Sequence, residues 1–174
     1  MKLSDATDLI KGEKGTDVYL TVKRVDGGIE QVKITRDIVE LEETYAKSSL
    51  IKDDTNKYGL INLPRFYVDF DDYGERNAAS DLRKEIISLK NKGIDGLILD
   101  LRNNGGGSLK TVVDITGFFI EKGPVVQVKS SGGRKDILRD NDPSVLWDGP
   151  LIILVNEFSA SASEILAAAL QDYN

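Results

Sequence analysis

Leu151-Ile152-Ile153-Leu154-Val155-Asn156-Glu157-Phe158-Ser159-Ala160-Ser161-Ala162-Ser163-Glu164 is the stretch whose reading decides the fold. Its first five residues are apolar without alternation, the pattern of a strand covered on both faces. A short polar turn follows. Then comes Ile165-Leu166-Ala167-Ala168-Ala169-Leu170, a run rich in strong helix formers. Small residues crowd the turn, and three serines sit in it. A hydroxyl there lies beside the unpaired N–H groups and the positive dipole end of a helix. Such a place suits a nucleophile whose reaction builds negative charge on a nearby oxygen. Taken alone it suits a plain helix cap better, because Ser161 with Glu164 three residues on spells a capping box, and capping boxes are common. On this stretch alone both readings stay open.

A second unit of the same kind lies upstream. Ile94 to Leu101 reads as a buried strand, and Arg102-Asn103-Asn104-Gly105-Gly106-Gly107-Ser108 as a glycine-rich turn. Leu109 to Glu121 reads as a helix, Lys122-Gly123-Pro124 as its stop and Val125 to Val128 as the next strand, making a strand–helix–strand unit. The glycine run is no phosphate loop, since no Gly-Lys-Ser/Thr follows, and it does not match the dinucleotide fingerprint. Bare glycines let a backbone approach a ligand and aim N–H groups at a negative oxygen. A tight turn at positive φ would call for them too. If the two strands share one mostly parallel sheet, both turns leave it at the same edge. Backbone donors from one turn and the Ser161 hydroxyl from the other would then converge on one carbonyl. The N–H of Ala162 would serve as a second donor, which is acyl-transfer geometry.

Composition narrows the choices. The chain has 174 residues, 40% hydrophobic and 30% charged, with net charge −6. That describes an ordinary globular protein of one core, or one core and a small module. No basic block marks a nucleic-acid partner. No apolar run reaches membrane-spanning length, and Met1 to Asp5 begins no signal peptide, so a targeting segment or membrane association would lie outside these residues. The sequence holds no cysteine and no histidine. Disulfides, thiol nucleophiles, Cys/His zinc sites and a Ser-His-Asp triad built from these residues are therefore excluded. An activated serine needs another base, and lysine is the usual one.

The remaining segments are read from pattern. Ser4 to Ile10 is a short helix, and Asp17 to Arg24 with Ile29 to Thr35 is a hairpin turned at Asp26-Gly27-Gly28. That module is too small to bury a core alone. Ile38 to Glu42 offers a further strand, and Tyr58 to Leu63 is expected as the first strand of the main domain. Asp69, Asp71 and Asp72 sit in an aromatic, acidic loop better explained by solvation than by a metal. Asn77 to Lys92 is an amphipathic helix with Leu82, Ile86 and Leu89 on one face. Asp140 to Asp148 is a polar loop holding Trp147.

The paired motifs resemble a known family. Gly96-Leu97-Ile98-Leu99-Asp100-Leu101-Arg102-Asn103-Asn104-Gly105-Gly106-Gly107, followed by Phe158 to Ile165 and by Ala168-Ala169-Leu170-Gln171-Asp172-Tyr173, resembles the carboxyl-terminal processing (tail-specific) serine proteases, peptidase family S41. The resemblance runs over nearly the whole chain and looks closest to the branch found in bacterial envelopes. It implies a crotonase-like α/β core over residues 43–174 and the closing part of a PDZ domain over residues 1–42. It places the nucleophile on Ser161, the oxyanion donors on the backbone of Gly107 and Ala162, and a supporting aspartate on Asp172. The family's base is a lysine in a Phe-Gly-Lys-Gly motif, which these 174 residues do not contain. The expected substrates are proteins or peptides with apolar C-termini, cleaved through an acyl-enzyme without metal or cofactor in the periplasm or envelope. A piece lacking the base is expected to be inactive. A non-catalytic peptide-binding module and a crotonase-type acyl-CoA enzyme are the competing readings, and the Ser-Ala-Ser-Ala-Ser-Glu run argues against the second.

Overall fold

The computed structural model describes residues 3–37, 44–68 and 76–173. The chain divides into two compact units, Met1–Leu41 and Glu42–Asn174.

In the first unit, helix α1 (Leu3–Ile10) precedes two strands, β1 (Asp17–Lys23) and β2 (Ile29–Thr35). The strands pair antiparallel, with Asp17 opposite Thr35 and Lys23 opposite Ile29. Arg36 ties the helix to the hairpin. Its guanidinium donates to the Ile10 carbonyl at 2.8 Å, to Thr16 Oγ1 at 2.8 Å and to the Asp17 carbonyl at 3.2 Å. A cation at a helix C-terminus also answers the negative end of the dipole. No described side chain of this unit is buried, so polar stitching, not a core, holds it.

The second unit runs β3 (Lys47–Lys52), β4 (Lys57–Asn62), α2 (Ala78–Asn91), β5 (Gly96–Asp100), α3 (Leu109–Thr116), β6 (Gly123–Lys129), β7 (Lys135–Asp140), β8 (Leu151–Leu154) and α4 (Ala162–Asp172). Its main sheet has the order β3-β4-β5-β8. β3 is antiparallel to β4, whereas β4, β5 and β8 are parallel. Leu97, Leu99 and Leu101 from the β5 region, Leu82, Ile86 and Leu89 from α2, Val112 and Ile115 from α3 and Leu166 from α4 are all at most 2% exposed and form one core. Each such side chain stabilises the fold by about 1.5–3 kcal/mol. α2 begins at a reciprocal cap: Asn77 Oδ1 accepts from the Ser80 N–H at 2.9 Å, and Ser80 Oγ accepts from the Asn77 N–H at 3.1 Å. Among the described residues no helix is long and apolar enough to cross a membrane.

Four expectations are corrected. β8, expected to be covered on both faces, ends the described sheet, and its Ile152 is 58% exposed because that face carries no packed element among the described residues. β3 precedes Tyr58 to Leu63 and opens the sheet instead; Lys47-Ser48-Ser49-Leu50-Ile51-Lys52 holds only two large apolar residues because it is a half-exposed edge. α3 stops at Thr116, since Gly117 caps it and the following N–H groups of Phe118 and Phe119 turn back to Ile115 and Thr116. Among the described residues β6 does not rejoin the main sheet and pairs with β7 alone, a strand whose residues carry two apolar side chains among four charges. The strand expected at Ile38 to Glu42 and the aspartates at 69, 71 and 72 lie outside the described residues.

Candidate active site

β5 and β8 are neighbours in the same direction, with Leu97 opposite Leu151 and Asp100 opposite Leu154. The glycine turn and the serine turn therefore leave the sheet together at its carboxyl edge, where α/β sheets bind ligands. The ladder continues past both strands, as the Leu101 N–H donates to the Leu154 carbonyl at 2.9 Å. Beyond it the two turns clasp through asparagines. Asn156 Oδ1 accepts from the Asn103 N–H at 2.8 Å, and Asn156 Nδ2 donates to Asn103 Oδ1 at 3.0 Å. At the β5 exit, Arg102 donates twice to Asp100, from Nε at 2.9 Å and from a terminal nitrogen at 2.6 Å. This fork holds the buried Asp100 carboxyl below the usual carboxylate range.

The three serines of the second turn have different fates. Ser159 Oγ donates to the Leu101 carbonyl at 2.8 Å and accepts from the Asn156 N–H at 2.9 Å. Ser163 is fully buried, and its Oγ donates to the Asn104 carbonyl at 2.8 Å. Both are structural. Ser161 is exposed; its side chain forms a capping box with Glu164, and its hydroxyl proton has no acceptor among the described residues. Its backbone stands at φ 55°, ψ −112°, a region that L-residues avoid because of their Cβ. The residues that cap the other two helices of this unit behave conventionally: Ser108 sits at φ −65° and Asn77 at φ −147°, each accepting a backbone N–H. Glu164 helps to hold the unusual bend, its Oε2 accepting from the Ser161 N–H at 2.7 Å. A serine forced into positive φ between a strand and a helix, with its hydroxyl outward, is the geometry of a nucleophile elbow.

The glycine turn lies against that serine. A Cβ built on Gly106 would fall 2.8 Å from Ser161 Cβ and 3.1 Å from the Ala162 nitrogen. Gly106 and Gly107 stand at φ 102° and 145°. The Phe66–Val68 segment braces them from outside: the Phe66 N–H donates to the Gly106 carbonyl at 3.0 Å, and the Ser108 N–H donates to the Phe66 carbonyl at 2.8 Å. Tyr67 anchors that brace by donating to Asp81 Oδ2 at 2.8 Å. Burial, with the Asp81 charge behind it, raises the Tyr67 hydroxyl above the usual phenol range. Among the described residues the N–H groups of Gly107 and Ala162 have no hydrogen-bond partner. Gly107 is exposed, and Ala162 heads α4 with its side chain in the core. Clefts of about 410 Å³ and 520 Å³ adjoin Gly107; Thr44 and Arg65 line both.

Gly107, Ala162 and Ser161 are thus brought to one place, and Asp172 is not. It is exposed at the far end of α4, about 16 Å from Ser161 at 1.5 Å per helical residue. Its neighbour Tyr173 fastens that end by donating from Oη to the Pro124 carbonyl at 2.9 Å. Two site residues had no assigned role in the sequence reading: Asn104, which is wholly buried between the turns, and Phe66. Asn104 stood inside the quoted motif; nothing local marked Phe66. Among the described residues no group of three or more His, Cys, Asp or Glu could hold a metal.

An exposed serine at positive φ beside a glycine turn, with unengaged backbone amides in both turns, is an arrangement that suits acyl transfer. The chain belongs to peptidase family S41, whose description matches residues 57–174. It is 38% identical to the tail-specific protease of Haemophilus influenzae over 173 residues, covering 99% of this chain and 24% of that protein. It is 35% identical to the carboxy-terminal processing protease CtpA of Bacillus subtilis, covering 99% of this chain and 34% of that one. The solved structure of the photosystem II D1 C-terminal processing protease superposes with a TM-score of 0.64 at 26% identity, covering 99% of this chain and 45% of the other. The chain therefore spans about a quarter to a third of the length of these two curated relatives.

Proposed function

We propose that the whole protein is a serine endopeptidase that cleaves proteins at their C-terminal tails, with Ser161 as nucleophile. One observation carries the reading. Of three serines in the turn, only Ser161 donates its hydroxyl proton to no described group, and it stands at a strained bend beside the glycine turn, where the amides of Gly107 and Ala162 are unpartnered. Ser161 Oγ attacks the scissile carbonyl, and the carbonyl oxygen takes up the negative charge. The N–H groups of Gly107 and Ala162 stabilise it; one such donor contributes about 10²–10³ in kcat. A lysine takes the serine proton and passes it to the leaving amine, and water then releases the acyl group from Ser161. Among the described residues no lysine hydrogen-bonds Ser161. The base is the lysine that the resemblance to the family implies, in a Phe-Gly-Lys-Gly motif that these 174 residues do not contain, and these residues by themselves are expected to be inactive.

The remaining assignments belong to the same proposal. Helices alternate with the parallel strands β4, β5 and β8, as a crotonase-like core requires, and the first unit supplies the helix and closing hairpin of a PDZ-like module. Such a module binds chain ends by strand addition, which fits apolar C-terminal substrates in the periplasm or envelope. The experiment uses the full-length protein and a fluorophosphonate probe, with the labelled residue located by mass spectrometry. Labelling confined to Ser161 and abolished by Ser161→Ala is the expected result. Labelling that survives the substitution moves the nucleophile elsewhere, and a full-length protein that neither labels nor cleaves is a binding module.

A further inference from the structure

We infer that Asn104 is a positioning residue that decides which glycine amide faces the reacting oxygen and how far that amide stands from Ser161. The inference rests on the acyl-transfer reading above. Asn104 is 0% exposed, and both ends of its side chain are engaged. Oδ1 accepts from the Gly106 N–H at 2.8 Å, and Nδ2 donates to the Leu63 carbonyl at 2.8 Å. Its own carbonyl accepts twice from the serine turn, from the Ala160 N–H at 3.1 Å and from Ser163 Oγ at 2.8 Å. One buried residue thus bonds the chain leaving β4, the glycine turn and the serine turn on both sides of Ser161.

Two consequences follow from that placement. By holding the Gly106 N–H inward, Asn104 keeps that amide out of the reaction. Gly106 is buried, while the next residue, Gly107, is exposed with its amide unengaged. By accepting from Ala160 and Ser163, the Asn104 carbonyl ties the nucleophile's immediate neighbours to the same anchor. Together with the Asn103–Asn156 clasp and the Ser159 bond to Leu101, this residue fixes the spacing between donor and nucleophile, and among these ties it alone also holds a glycine amide. The amide is needed at both ends. A carboxylate would keep the Gly106 bond but set an acceptor against the Leu63 carbonyl, and a methyl would leave two buried polar groups unpaired.

Full-length Asn104→Ala and Asn104→Asp test this. The expected result is a fall in kcat of about 10²–10³-fold with KM within about threefold, the signature of an interaction made only in the transition state. Affinity for a peptide boronate, whose tetrahedral adduct with Ser161 uses the same amides, should fall in parallel with kcat/KM. A merely structural role would lower the melting temperature and leave kcat per folded molecule and boronate affinity unchanged, and that result overturns the inference. If neither variant folds, amide NMR of the wild type decides. Boronate must shift the Gly107 amide, with the Gly106 amide slow to exchange; a shift at Gly106 instead refutes the inference. Wild-type kcat in the Asn104 variants, with Ser161→Ala unlabelled, sinks this inference alone. Labelling that persists in Ser161→Ala sinks the acyl-transfer reading itself.

Discussion

Alanine at each of three adjacent glycines should give three different outcomes. A Cβ on Gly105 meets no heavy atom within 4 Å, and its φ lies outside the left-handed region. Gly105→Ala should leave stability unchanged or raise it by about 0.4–1 kcal/mol through the unfolded chain. Gly106→Ala meets two penalties. Its φ of 102° costs about 1–3 kcal/mol with a side chain. Its methyl would lie 2.8 Å from Ser161 Cβ and 2.9 Å from the Ala160 carbonyl oxygen, roughly 0.7 Å inside ordinary carbon contact. Overpacking adds about 1–3 kcal/mol, so the sum is about 2–6 kcal/mol. At about 2–4 °C per kcal/mol the melting temperature should fall by about 4–24 °C. The same displacement moves the nucleophile, and a shift near 1 Å costs about 10²-fold in rate. Gly107→Ala should be worst, because its methyl faces main chain, 2.8 Å from the Phe66 carbonyl carbon, and main chain cannot rotate away. The assay is thermal melting followed by fluorescence of Trp147, which is buried in the second unit, together with probe-labelling rates in the full-length protein. A Gly106→Ala protein that melts within 1 °C of wild type and labels at the wild-type rate would show that the two turns do not touch.

Three further outcomes are expected. Because Arg102 lowers the Asp100 carboxyl in the folded state, the stability it contributes is fully present above the unfolded value of about 4 and is lost as pH falls through the lower folded value. Arg102→Gln should therefore flatten the acid limb of melting temperature against pH, and an unchanged limb would remove Asp100 from it. Asp172→Asn, exposed and a helix length from Ser161, should change stability by less than about 0.5 kcal/mol. Its labelling rate should stay within about threefold in the full-length protein, and a 10²-fold loss would bring the far end of α4 into the machinery. Leu166→Ala empties a fully buried position and should cost about 2–5 kcal/mol in chemical denaturation; a loss below 1 kcal/mol would mean that α4 is not docked on the core.

The parts of the fold legible in the sequence were those driven by local signals. Leu82, Ile86 and Leu89 spelled the buried face of α2, and apolar runs spelled β5 and β8 as strands, although β8 lies at the end of the described sheet and is not covered on both faces. β3 and β7 were missed because an exposed hairpin strand needs few apolar residues, and its partner across the ladder lies beyond any local window. α3 was drawn too long because Val112 to Phe119 stays apolar after Gly117 has ended the helix. At the site, Ser161 and the glycine turn were legible as motifs, and their convergence followed from expecting one parallel sheet. The backbone angle of Ser161 was not, since serine ordinarily caps helices with extended backbone, as Ser108 does here. Neither was the labour of Asn104, which depends on partners at Leu63, Ala160 and Ser163 that no spacing rule links.

The bend at Ser161 sets folding against chemistry. Glycine is the residue most at ease at φ 55°, ψ −112°, and replacing the serine with it would relieve about 1–2 kcal/mol of backbone conflict. Selection for thermal robustness alone would therefore drift toward a sturdier, inert chain. On the proposed mechanism serine holds this corner for the reaction, so variants recovered by heat challenge should be screened for turnover before they are called improved.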